Sequence, residues 1–225
     1  MEKSLSLSEK LYLLAVHPQK GGIIYAASQK LDFALSGALF MEMILDKQIE
    51  IENKRIKVVN TKSNNPIQNY LLQKMRKAKR PRKVTTWISK FRFSVKRIRR
   101  QIKTSLVRKG TLKLEEKQFL FFQWKKPVLL NKQAVYKLQS EIENQILQGT
   151  TSEENIMLLS LIKPAGLLKR IFQDKDKRKL AEQKLKQLME GNQVSEAVSA
   201  AVAAAQAVVV SVAASSVAVT AGASR

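Results

Sequence analysis

The residues best suited to chemistry form a run of basic side chains with no acidic residue among them. Between Glu52 and Glu115 the chain carries 21 Lys and Arg residues, about half of its total of 41. The formal net charge of the 225-residue chain is +23. Repulsion among like charges destabilises a compact state, so an ordinary solvated surface mixes both signs. The acid-free stretch therefore predicts a polyanionic partner.

A helix predicted over residues 91–109 holds the strongest candidates in this stretch. Its apolar residues recur at spacings of three and four, which places them on one stripe that faces the core. They are Phe91, Val95, Ile98, Ile102 and Leu106. The cations along one flank of that stripe are Arg92, Lys96, Arg99, Arg100 and Lys103. Arg binds phosphate through two parallel N–H groups and Lys binds it as a point charge, so we predict that this flank contacts phosphates.

A second group of cations precedes this helix and is predicted to support the same contact. Its members are Arg76, Lys77, Lys79, Arg80, Arg82 and Lys83. Tyr25 is a further candidate, as an aromatic at a membrane interface or as a half-buried loop residue. Lys96 and Arg99 are the first choices for phosphate contact.

Two classes of polyanion fit these cations, the headgroups of an anionic membrane surface and the backbone of a nucleic acid. Sequence-specific nucleic-acid readers usually add stacking aromatics or a recognisable motif, and the sequence has no such motif. Trp87 and Phe91 lie near the block, but their spacing favours core packing. We therefore expect an anionic membrane lipid as the partner, and keep a nucleic-acid-binding protein with the same basic face as the alternative.

Catalytic and metal sites are not predicted. The chain has one histidine, His17, and no cysteine, so the common metal-ligand and nucleophile–base sets cannot be assembled. The Gly21-Gly22 pair matches neither nucleotide-binding pattern. We expect a protein that is not an enzyme and needs no cofactor. Because the N-terminus is too polar for a signal peptide, we expect a cytoplasmic location.

The periodicity predicts a mainly α fold, a single-domain helical bundle with one or two short β-hairpins over residues 1–225. A capping-box pattern, Ser6 followed by Glu9, predicts the start of the first helix. Helices are predicted at 7–16, 28–46, 66–79, around Trp87, and at 91–109, 131–148, 152–172 with a break near Pro164, 174–190 and 194–221. Hairpin strands are predicted at 49–51 with 56–58, and at 111–114 with 118–123, the last containing the apolar run 119–122. Residues 194–225 are predicted to form an Ala/Val-rich closing helix and tail. Their Ala and Ser content favours a buried helix over a membrane span.

Six blocks of this sequence, in this order, resemble the Golgi phosphoprotein 3 family. They are LSLSEKLYLL at 5–14, KG at 20–21, LSGALFMEMIL at 35–45, NP at 65–66 with YLL at 70–72, VTTWI at 84–88, and LVRKGTL at 106–112 followed by FLFF at 119–122 and PVL at 127–129. The resemblance continues to about residue 190, and it implies a mostly helical peripheral membrane protein on the cytosolic face. Its eukaryotic members bind phosphatidylinositol 4-phosphate and the cytosolic tails of glycosyltransferases, and a hairpin takes part in their self-association. We accordingly expect tails of membrane proteins and further copies of the chain as additional partners.

The resemblance also implies a headgroup pocket, of which this chain keeps half. The family forms it from a Trp and an Arg near the second helix and from two Arg three residues apart. The last two correspond to Lys96 and Arg99. No Trp occurs at 23–30, where Tyr25 and Ala27 are the nearest counterparts, and Ser36 replaces the other Arg. With the missing N-terminal extension, these departures lead us to expect a bacterial-type member.

Overall fold

The computed structural model describes residues 4–53, 55–148, 152–190, 199, 202, 203 and 205–207. Its helices are α1 (Leu7–Ala15), α2 (Tyr25–Ser28), α3 (Leu31–Leu45), α4 (Pro66–Arg76), α5 (Val84–Phe91), α6 (Val95–Arg108), α7 (Lys132–Gln148), α8 (Glu153–Ile162), α9 (Leu168–Ile171) and α10 (Lys175–Glu190). Two antiparallel hairpins complete the described fold, β1 (Ile49–Glu52) with β2 (Arg55–Val58) and β3 (Leu112–Phe119) with β4 (Phe122–Leu129). The predicted mainly α class with short hairpins is confirmed.

Helix α3 lies at the centre of the bundle. It is apolar around most of its circumference, which is typical of a helix enclosed on all sides. It packs against α1, α5, α6 and α8. Helix α1 begins at a capping box in which Ser6 and Glu9 each bond the other's backbone N–H, as the sequence pattern indicates.

Helix α6 is attached to this centre by a buried apolar stripe and by polar contacts at its end. Ile98, Ile102 and Leu106 are buried. Just beyond the helix, the Lys109 Nζ donates to Glu9 Oε2 and, at 2.8 Å, to the Ser4 carbonyl. The Lys109 and Glu9 side chains are only 14% and 6% exposed. This half of the cationic stretch is therefore held in a defined orientation against α1 and α3.

The predicted continuous helix at 91–109 is wrong at its start. Phe91 ends α5, and a 3-10 turn at Arg92–Ser94 separates it from α6. Ser94 is buried at this junction and its Oγ accepts a hydrogen bond from Lys74 Nζ at 3.3 Å. This side-chain contact to α4 fixes the turn, which periodicity alone does not reveal.

The predicted strands of the second hairpin are also wrong, although the hairpin itself exists. Residues 119–122 do not form the middle of a strand. Phe119 pairs with Phe122, and Leu120 and Phe121 form the two-residue turn between them. The buried pair Leu112 and Leu129 anchors the opposite end.

The closing segment is described only in part. Residues 199, 202, 203 and 205–207 are helical, and the remainder of the predicted helix 194–221 lies outside the described residues. Val202 and Ala205 are buried. A Cβ on Gly37 would lie 2.9 Å from the Ala205 Cβ, and Gln206 Nε2 donates to the Ser160 carbonyl at 3.0 Å. The described residues thus pack against α3 and α8, as predicted for a buried closing helix. Within the part of the chain that the structure describes, no helix is both long enough and apolar enough to cross a bilayer.

Candidate anion-binding surface

The flank of α6 carries three of the five predicted headgroup residues at the surface. Lys96, Arg100 and Lys103 follow one another at spacings of four and three, so they share one face of the helix. Lys96 and Arg100 are exposed, whereas Lys103 is half-buried. Burial, reinforced by the nearby Arg99 charge, lowers the pKa of Lys103. Keeping the Lys103 amine protonated therefore costs free energy, and an anion bound beside it would reduce that cost, since a nearby negative charge favours the protonated amine.

Arg99, one of the two first choices, lies between the helices and is already paired. Its Nε donates to Asp32 Oδ1 on α3, and the two side chains are 30% and 24% exposed. Burial raises the pKa of Asp32, and the Arg99 charge opposes that rise. Nearby Tyr12 is buried, which raises its pKa to about 12. Arg99 therefore anchors α6 to α3, and its remaining guanidinium donors are the ones that a phosphate could use.

Ser36 and Tyr25, which stand near the positions of the family's Arg and Trp, differ in burial. Ser36 is fully buried in α3 and donates its hydroxyl to the Asp32 carbonyl at 2.8 Å, so it does not reach a surface site. Tyr25 opens α2 and is 92% exposed. The half-buried alternative for Tyr25 is therefore wrong. Arg92 belongs to the 3-10 turn, and its side chain lies outside the described residues.

The link between α4 and α5 presents the supporting cations. Arg76, Lys77, Lys79, Arg80, Arg82 and Lys83 are all exposed. The first hairpin holds this link, because Ile56 N donates to the Arg82 carbonyl at 3.0 Å and Arg55 Nη1 donates to the Pro81 carbonyl at 2.8 Å. The backbone that carries these cations is therefore bonded to a strand.

Sequence analysis missed Arg97 on the neighbouring face of α6. The Arg97 Cζ lies 4.1 Å from the centre of the Tyr70 ring, and the Lys74 Nζ lies 4.8 Å from it. Cations over an aromatic face gain electrostatic stabilisation. The pair Tyr70 and Lys74, one turn apart on α4, is a signal that could have indicated a cation-binding ring, although nothing in the sequence points to Arg97 as its partner.

The tip of the second hairpin is the other feature that sequence analysis misplaced. Its side chains are exposed by 67% at Phe119, 68% at Leu120, 97% at Phe121 and 73% at Phe122. Leu120 has a φ of +52°, a left-handed conformation that costs a branched residue about 1–2 kcal/mol and usually selects glycine or asparagine. A strained, exposed leucine in a turn is poorly explained by folding, which makes the apolar tip a candidate functional feature.

The base of this hairpin is bonded to the loop that leads to Tyr25. Gly22 N donates to the Pro127 carbonyl at 2.7 Å. Gly21 has a φ of +64°, and a Cβ there would lie 2.8 Å from both the Pro127 carbonyl oxygen and Val128 Cγ2. Glycine is required at this close approach. The hairpin and the exposed Tyr25 are thus attached to the same loop.

Comparison with known protein families identifies the family to which the chain is related. The family model of Golgi phosphoprotein 3 (GPP34) matches residues 7–205. This chain belongs to the Golgi phosphoprotein 3 family. Proteins of the Golgi phosphoprotein 3 family bind lipids, and membership suggests a peripheral, cytosolic association with membranes. No curated protein matches the sequence.

Proposed function

We propose that this chain is a peripheral membrane protein that binds anionic phospholipid headgroups through its exposed cations. The family implies phosphatidylinositol 4-phosphate as the headgroup and the cytosolic face of a membrane as the location. The observation that carries the proposal is the combination of exposed cations with an exposed apolar tip in one small chain.

The cations supply the long-range part of the attraction. Each Lys or Arg near an anionic surface contributes about 1 kcal/mol, and the effect extends over about one Debye length. Lys96 and Arg100 are exposed and Lys103 adds a partly desolvated charge beside them. Three such charges support reversible association without a pocket that encloses the headgroup. The contribution of Arg99 is limited by its bond to Asp32.

The apolar tip favours a membrane over a nucleic acid as the partner. Phosphate backbones are bound by charge, and single-stranded bases stack on aromatic faces next to cations. The tip ends in four apolar side chains with no charge among them, from Phe119 to Phe122. Transfer of these apolar side chains from water to the boundary between headgroups and acyl chains is favourable.

Co-sedimentation with vesicles tests the proposal directly. The protein is titrated with phosphatidylcholine vesicles of increasing anionic content and, at the same salt, with duplex and single-stranded DNA and RNA. We expect binding that rises with anionic lipid and weakens with salt. Binding to nucleic acid at physiological salt without binding to vesicles would overturn the proposal. The contribution of the α6 flank is tested with Lys96→Ala/Arg100→Ala, which should reduce binding to phosphatidylinositol 4-phosphate vesicles by at least about tenfold.

A further inference from the structure

A second concave site lies between α4 and α5, and none of its lining residues belongs to α6. It has a volume of about 300 Å³ and is lined by Lys74, Lys77, Ala78, Arg82, Trp87, Lys90, Phe91 and Phe93. Four of these eight residues are cations, and none of the eight is acidic. We propose that this pocket binds a phosphate monoester at the head of a membrane lipid, as a second headgroup site.

Among the residues that the structure describes, the cations that line the pocket have no carboxylate partner. Within the described ranges, none of its four cations forms an ion pair with a carboxylate. The sequence itself has no acidic residue between Glu52 and Glu115 that could supply one locally. A carboxylate or a phosphodiester carries one negative charge. A phosphate monoester carries about 1.5 to 2 negative charges and has three terminal oxygens that accept hydrogen bonds. A monoester therefore matches a pocket lined by four cations better than a carboxylate or a phosphodiester does.

Two of the four cationic side chains, those of Lys74 and Lys90, contact neighbouring side chains, and the backbone of a third cation, Arg82, is bonded to a strand. Arg82 is carried on the link that bonds to Ile56 of β2. The Lys90 Nζ lies 6.0 Å from the centre of the Trp87 ring, and the Lys74 Nζ is bonded to Ser94 Oγ at 3.3 Å. Side chains that are already oriented lose less conformational entropy when they bind a ligand.

The aromatic wall favours a lipid as the source of the phosphate. Trp87 and Phe91 are buried and form the floor, with ring centres 6.0 Å apart. Phe93 lines the same pocket and is 81% exposed. A phenylalanine beside cations suits the boundary between headgroups and acyl chains, while a soluble phosphate compound would leave that ring in water.

The site differs from the one on α6 in all its residues, so two headgroups could be held at once. When one is bound, the second binds at a high local concentration, and the apparent affinity then rises steeply with the density of the lipid. The steep dependence on lipid density rests on the proposed membrane association. Binding of a phosphate monoester in the pocket does not depend on it.

The first test measures occupancy of the pocket without a membrane. The chain has two tryptophans, Trp87 and Trp124, so Trp124→Phe leaves Trp87 as the sole fluorescent reporter in the pocket. Titration with glycerol 3-phosphate should change the Trp87 emission, and Lys77→Gln/Arg82→Gln should weaken the affinity measured in this way by about tenfold. The side chains of Lys77 and Arg82 are exposed, so this variant is expected to fold.

The second test compares vesicles of equal surface charge, one set with phosphatidic acid and the other with phosphatidylserine. The unmodified protein should prefer phosphatidic acid, Lys77→Gln/Arg82→Gln should lose the preference, and Lys132→Gln/Lys137→Gln should keep it. The control removes the same charge from exposed residues of α7. If both variants weaken binding to both vesicles equally and Trp87 does not respond, the pocket is not a site, although membrane association stands. If Trp87 responds but vesicles are not bound, the phosphate site stands, its lipid source is overturned and the proposed function fails.

Discussion

Replacement of Leu120 by glycine should separate the folding of the second hairpin from its contact with a membrane. Leu120 occupies the turn with a φ of +52° and a side chain that is 68% exposed. Glycine relieves about 1–2 kcal/mol of left-handed strain but loses about 0.5–1 kcal/mol more backbone entropy on folding. The free energy of unfolding should therefore stay the same or rise by about 1 kcal/mol.

Membrane binding should change in the opposite direction. Burial of a whole leucine side chain contributes about 1.5–3 kcal/mol. Because 68% of the Leu120 surface is available for transfer, the loss in Leu120→Gly is about 1–2 kcal/mol. This corresponds to vesicle affinity that is about 5- to 30-fold weaker. The loss comes from the transfer of an apolar side chain, which salt does not screen. The ratio of the two vesicle affinities, unmodified protein to Leu120→Gly, should therefore stay the same when salt weakens the contribution of the cations.

Denaturant unfolding and co-sedimentation with anionic vesicles, on the same preparations, measure the two quantities. Leu180→Ala is the matched control, since Leu180 is a 44% exposed leucine on α10. It should leave vesicle affinity within about twofold. Vesicle binding by Leu120→Gly as tight as that of the unmodified protein would refute insertion of the tip. An equal loss in both variants would show that the effect is not specific to the hairpin.

Three further changes test the packing of the bundle. Gly37→Ala should destabilise the fold by about 1–2 kcal/mol, because the clash with Ala205 exceeds the gain in helix propensity, and Ala205→Gly should restore stability in the double variant measured by urea unfolding. Lys109→Met leaves a carboxylate that is 6% exposed without its cation and should cost about 3 kcal/mol in thermal or urea unfolding. Lys57→Met removes one partner of a solvent-exposed ion pair and should leave the unfolding transition nearly unchanged; equal losses in the two variants would contradict this account. Burial raises the pKa of Glu42, so the stability it contributes is fully present below its unfolded pKa of about 4.3 and is lost as pH rises through its higher folded pKa. The stability of the unmodified protein relative to Glu42→Gln should therefore fall as pH increases from about 4, and parallel pH profiles would contradict the assignment.

The elements that sequence analysis predicted well are those with a strong local signal. The capping box at Ser6 and Glu9 marks the start of α1, and the stripe of Ile98, Ile102 and Leu106 defines the buried face of α6. Each pattern is contained within a few turns, so no knowledge of the neighbours is needed. The exposure of Lys96 and Arg100 follows from the same stripe.

The second hairpin was misplaced because its turn lacks the usual turn residues. A two-residue hairpin turn normally contains glycine, asparagine or aspartate, whereas this turn is Leu120 and Phe121. Four successive apolar residues are typical of a buried strand. The register is instead set at the other end, where Leu112 pairs with Leu129 in the core. The exposed apolar tip at residues 119–122 could therefore not be recognised from the sequence, because an apolar run stands where turn residues would be expected.

The pairing of Arg99 shows why a run of cations in sequence does not define a binding surface. Asp32 lies outside the acid-free stretch, yet its carboxylate bonds Arg99 across 67 positions of sequence. The charge of Arg99 is thus partly neutralised, while Lys77 and Arg82 remain without an ion pair among the described residues. Electrostatic attraction to an anion depends on this residual charge, since a neutralised pair has little field at a distance. Selectivity for a phosphorylated headgroup should accordingly depend more on the pocket between α4 and α5 than on Arg99, whose bond to Asp32 mainly orients the flank of α6.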